Sequence, residues 1–232
     1  MQTYWLNTQK AGGIAAFINA LLAIATLVVA FGLIGPAALT DNTKLVELAI
    51  NNPAPLIIQD LLKFASAVVA IVLVVALFSR LRGESPTVMR VATSLGFLSI
   101  LCLLANASLS LYAITQAANF ASEQAEMGKQ LNGLIGLLGM AVIVVNGLWY
   151  LLVSWSARKT NRLPRRLSHL GLVMGALSLV PPLGIIVLLL SIVWSLWLGR
   201  VLLKDNVPEG GIRMENGRPI ATGAIRNDTR PS

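Results

Sequence analysis

The chain has 232 residues, 56% of them hydrophobic and 12% charged, with a formal net charge of +8 and a mean hydropathy of +0.74. Soluble domains carry roughly 25% charged residues, so this composition excludes an ordinary water-covered surface and makes lipid the main solvent. A single cysteine, Cys102, and a single histidine, His169, exclude an internal disulfide framework, a cysteine-cluster metal site and a bis-histidine haem; no catalytic, metal or cofactor site is expected.

In chain order, residues 11–35 form the first apolar run, 25 residues without a charge. At 1.5 Å per residue that length crosses a hydrocarbon core of about 30 Å. A cleaved signal sequence is the rival reading, but its apolar region would be roughly 7–15 residues. Residues 43–50 alternate Leu45 and Leu48 with Lys44 and Glu47, which predicts a short amphipathic helix on the membrane interface. The second span is expected over about 56–79, taking in Asp60 and Lys63, and the third over about 91–116. Residues 117–130 suit a helix, so the third helix is expected to project beyond the bilayer. The fourth span covers about 131–157. Residues 167–203 are too long for one span and are interrupted by Pro181, Pro182 and Gly184. Two prolines in a row break a helix. A hairpin there gives a short fifth span, about 164–180, and a sixth, about 183–203. Residues 205–232 are rich in Pro and Gly, and are expected to be a cytoplasmic tail that is disordered or ordered only on a partner. The membrane domain is thus residues 1–204.

Charge placement orients the spans, because cytoplasmic loops collect Lys and Arg. With the N-terminus inside, 15 of the 18 basic residues fall on the inner side, while Lys44 and Lys129 lie outside. The expected fold is an all-α membrane protein, a six-helix transmembrane bundle with both termini inside. The positive charge then reflects orientation, not a nucleic-acid partner. The loop bearing Arg158, Lys159, Arg162, Arg165 and Arg166 is suited to anionic lipid headgroups.

Polar and small residues fall on helical stripes. Asn132, Gly136, Gly139, Asn146 and Tyr150 share one face of the fourth span, Ser99, Cys102, Asn106 and Ser110 one of the third, and Gly12, Ala15, Asn19 and Ala23 one of the first. Such stripes serve close helix packing, with Asn and Ser bonding across helices; alternatively, Asn19, Asn106 and Asn146 converge on a polar cavity. Gly171 and Gly175 fit a close helix contact or a dimer face. Asp60 and Lys63, at i and i+3, are either a structural ion pair or a coupling site for a proton or ion. Trp149, Trp155, Trp194 and Trp197 read as an interfacial aromatic belt. His169, at the edge of the fifth span without an acid beside it, is a poor base or ligand.

Two segments carry a resemblance. Lys10-Ala11-Gly12-Gly13-Ile14 opens the first span, and Leu163-Pro164-Arg165-Arg166-Leu167-Ser168-His169-Leu170-Gly171 precedes Gly175 and a Trp-rich last helix. Together they resemble a family of uncharacterised bacterial six-helix integral membrane proteins that carry a domain-of-unknown-function label. The resemblance implies a bacterial inner-membrane protein and no particular activity. The expected role is that of a non-enzymatic accessory or interaction subunit, bound to a protein partner or to copies of itself. The alternative is a small-solute or ion transporter using Asp60 and the polar faces of spans one, three and four.

Overall fold

The computed structural model describes residues 2–83, 86–180, 183–204, 213–215 and 218–220. Helix α1 (Gln2–Val28) continues without interruption into a π-helical turn, Val29–Ile34. Gly35, at φ 84°, ends that turn, its N–H donating to the Ala30 carbonyl at 2.9 Å. Pro36, which needs no helical N–H donor, starts the short α2 (Pro36–Thr40). Asp41 then caps α3 (Asn42–Asn51) through its side chain, accepting from the Thr43 N–H at 2.9 Å. The long helices α4 (Ala54–Leu81) and α5 (Pro86–Thr115) follow, then α6 (Ala117–Ser122), α7 (Ala125–Thr160), α8 (Arg165–Ser178) and α9 (Gly184–Lys204).

Among the described residues, five helices are long and apolar enough to cross a membrane: Thr8–Ile34, Ala54–Leu81, Pro86–Thr115, Ala125–Thr160 and Gly184–Lys204. The body of the chain is all-α. Its apolar residues lie on both sides of the helices. Leu73, Leu77, Val153, Trp194 and Leu198 fill the interior, while Leu21, Val68, Leu101 and Leu137 are each more than half exposed. An exterior this apolar suits hydrocarbon, not water.

The segment expected as a short fifth span, about 164–180, holds the 14-residue α8, about 21 Å long and by itself short of a hydrocarbon core of about 30 Å. Two expectations are corrected. The third helix does not project onward: it ends at Thr115, a separate α6 follows, and residues 125–130 belong to α7. Within the tail, Arg213–Glu215 (β1) pairs antiparallel with Arg218–Ile220 (β2), Arg213 opposite Ile220; the other residues of 205–232 lie outside the described ones. The expected hairpin survives as a turn in which the Leu183 N–H donates to the Val180 carbonyl at 2.9 Å, Pro181 and Pro182 lying outside the described residues.

Helix α5 packs between α4 and α7, α1 packs on α4 and α9, and α8 packs on α7. Asn19 bonds Ser195, and Gly13 meets Gly199 and Leu203. As α1 advances, α9 recedes. The two helices are therefore antiparallel, and the start of α1 shares one end of the bundle with the finish of α9. At the opposite end α3 and α6 touch and form a cap. Its small core is built from Ile34, Ala38, Ala49, Leu56 and Ala117.

Candidate functional site

Asp60 lies in the second turn of α4 and is 1% exposed. The Lys63 ammonium, one turn on, donates to Asp60 Oδ1 at 2.7 Å and to Asn106 Oδ1 on α5 at 3.0 Å. Asn106 in turn donates through Nδ2 to the Ile135 carbonyl of α7 at 2.8 Å. The i, i+3 spacing puts acid and base on one helix face; the link to Asn106 and Ile135 ties three helices together at that level.

This cluster separates two cavities. One, of about 490 Å³, lies under the α3–α6 cap, with Leu45, Phe120, Gln59, Asp60 and Lys63 among its walls. The other, of about 290 Å³, lies in the centre of the bundle, walled by Asn19, Ser99, Asn146, Ser191 and again Lys63. Lys63 faces both. Asp60 Oδ2 and Gln59 Oε1 are buried without a hydrogen-bond partner among the described residues. At the far end of the central cavity, Trp149, Tyr150 and Trp194 meet edge to face, with ring centroids 4.9–6.2 Å apart.

Residues 17–204 match the family described as Domain of unknown function (DUF4386). The chain belongs to the DUF4386 family. No curated protein matches it, and no solved structure does.

In this DUF4386 chain two of the three asparagines line the central cavity. Asn19 bonds Ser195 at 3.0 Å, and Asn146 stands one turn before Tyr150 on α7, both on the cavity wall. Asn106 is buried in the dividing cluster instead. Gly171 and Gly175 form the seam between α8 and α7: Gly171 sits on Ser154, and Gly175 faces Leu151 and the Gly147 carbonyl. Gly139 lies at ordinary contact distance from Asn106, whereas Gly136 faces open space. Arg158 and Lys159 stand exposed at the end of α7, and Arg165 and Arg166 in the first turn of α8. The Arg162 carbonyl between them accepts from Arg80. His169 is exposed, its Nδ1 at 2.8 Å from the Arg165 carbonyl oxygen.

The aromatic reading needs correcting. Trp149 and Trp194 are 5% and 2% exposed and belong to the interior; of the four tryptophans only Trp155 is exposed. Spacing held the signal: Trp149 and Tyr150 stand three and four positions after Asn146, and Trp194 three after Ser191, so both tryptophans share polar seams with cavity residues. Gln59 also lay on such a face, four positions before Lys63 and seven before Ser66 on α4, a stripe that sequence reading passed over.

Proposed function

We propose that this DUF4386 protein is a small-solute transporter whose path runs through the two cavities in series. The observation that carries this reading is that one ammonium, Lys63, lines both of them. Ionisable groups at membrane depth are costly and concentrate at substrate and ion pathways. Here the Asp60–Lys63–Asn106 cluster closes the central cavity towards the cap, and Trp149, Tyr150 and Trp194 close it towards the other end. A cavity with a barrier at each end is what alternating access requires.

The proposed topology has six passes in a bacterial inner membrane, with the start of α1 and the finish of α9 both cytoplasmic and the α3–α6 cap outside. Five complete crossings alone would leave the start of α1 and the finish of α9 on opposite faces, yet the two helices are antiparallel with those ends together. Helix α8 and its turn therefore serve as the return pass, made shallow by the α7–α8 seam. The exposed basic residues at that end suit anionic headgroups, and a groove lined by Arg162, Arg200 and Lys204 beside apolar Trp197 and Leu196 supports the same placement. The accessory or self-associating subunit is the second reading. It draws on the cap-side half of α7, where Gly133 and Gly136 face open space and Leu134, Leu137 and Met140 are exposed.

Thiol accessibility tests the first reading. In a Cys102→Ser background, Ala113→Cys, which lines the cap-side cavity, is expected to react with a membrane-impermeant maleimide added outside right-side-out vesicles. Protection from that reagent, with reaction only from the cytoplasmic face or from neither, contradicts it.

A further inference from the structure

We infer that the cap-side cavity binds a small zwitterion, a primary ammonium and a carboxylate or phosphate carried on one molecule. The inference rests on the transport reading for its biological meaning but on the cavity's own chemistry for its content.

That chemistry is uneven in a specific way. Asp60 is almost wholly buried, and among the described residues only one of its two oxygens has a partner, Lys63; Oδ2 has none, nor has the neighbouring Gln59 Oε1. Both residues line the cavity. Two buried acceptors without donors call for a ligand that brings N–H or O–H groups. Lys63 supplies the opposite need. An ammonium has three N–H donors, and described residues engage two of them, at Asp60 Oδ1 and Asn106 Oδ1. The third is left for an acceptor on the ligand.

Charge then selects among ligands. Asp60 and Lys63 neutralise each other at 2.7 Å. A bare cation at Asp60 Oδ2 would sit against the Lys63 ammonium, and a bare anion at Lys63 against the Asp60 carboxylate. A zwitterion meets both with opposite charges and adds no net charge to a low-dielectric site. The one further charged residue of this wall among the described residues, Lys129, is mostly exposed and paired with Glu126 at 2.8 Å. The remaining wall is largely apolar, with Leu45, Leu56, Ile114 and Phe120 on it, and the volume of about 490 Å³ suits a small molecule with a hydrocarbon part. A free amino acid and the ethanolamine headgroup of a phospholipid both present this chemistry.

The test uses the full chain in phosphatidylcholine nanodiscs, whose headgroup has no N–H donor. The probes are L-leucine, 3-methylbutylamine and 4-methylpentanoate, which offer both charges, the ammonium alone and the carboxylate alone. Leucine is expected to raise Tm where neither half does, or phosphatidylethanolamine in place of phosphatidylcholine is expected to raise it. The first result assigns the site to a free solute and the second to a lipid headgroup. Gln59→Leu keeps the ion pair and is expected to weaken the response at least about tenfold by removing an acceptor; Asp60→Asn is expected to abolish it. The inference is overturned by no response to either source, by an amine as effective as leucine, or by a response that Gln59→Leu leaves intact. None of these results depends on labelling at position 113, so the two readings fail separately.

Discussion

The Lys63 ammonium donates to Asp60 Oδ1 at 2.7 Å, while the other oxygen of the same carboxylate stays buried without a partner among the described residues. The lysine side chain is about a quarter exposed and the aspartate 2%, so the pair is asymmetric: a fixed acid and a cation with room to move. That asymmetry distinguishes it from a helix-surface ion pair, which stabilises by only a few tenths of a kcal/mol.

Removing either partner should be costly. Asp60→Asn leaves an ammonium and Lys63→Met leaves a buried carboxylate uncompensated, each expected to destabilise by about 3–5 kcal/mol. The double variant should regain much of that loss. Thermal unfolding of the four proteins in one detergent checks it; additive single effects would deny the coupling.

Much of this site was legible in the chain, and the reason is local. Asp60 and Lys63 are neighbours by helix periodicity alone, so their pairing follows from spacing. The partnership of Lys63 with Asn106 spans 43 residues and depends on the relative height of α4 and α5, which no stripe on a single helix encodes. The same limit explains the tryptophans. Trp149 lies in the basic half of α7 and Trp194 midway along α9, and their burial follows from rings that meet inside the bundle, which neither helix encodes alone. Helix α8 was legible as short because Pro181 and Pro182 stop it. Its arrest against α7 depends on contacts between Gly147, Gly175 and Ser178 that belong to two helices.

Asn106 joins α4, α5 and α7 through its amide. Asn106→Leu deletes both bonds while roughly keeping the volume. The expected loss is about 1–2 kcal/mol, since interhelical hydrogen bonds in membranes are individually modest. Denaturation of the purified variant reads it directly, and an unchanged midpoint would show that the link carries no stability.

The α7–α8 seam should discriminate between glycines. A methyl at Gly175 would stand 2.8 Å from the Gly147 carbonyl oxygen and crowd Leu151. Gly175→Ala is expected to lose about 1–3 kcal/mol by overpacking. A methyl at Gly136 would meet no other side chain or helix within 4 Å among the described residues, so Gly136→Ala is expected to stay within about 0.5 kcal/mol of wild type. Comparing the two Tm values tests the seam; equal effects would place the contact elsewhere, and a large effect at Gly136 would reveal a partner on that face.

Trp194 is 2% exposed and meets both Trp149 and Tyr150. Trp194→Ala is expected to lose about 3–5 kcal/mol and to let a thiol reagent reach Asn146→Cys from the cytoplasmic face. Loss of stability without gain of reactivity would make the aromatic cluster a packing core and not a barrier.

The central claim is that Lys63 with its partners is the barrier between the two cavities. It is tested most directly by the reactivity of Ser99→Cys, in the central cavity, with an impermeant maleimide applied from the cap side in a Cys102→Ser background. Labelling is expected to be slow when Lys63 is present and markedly faster from the same side in Lys63→Ala. Equal rates in the two proteins would contradict it.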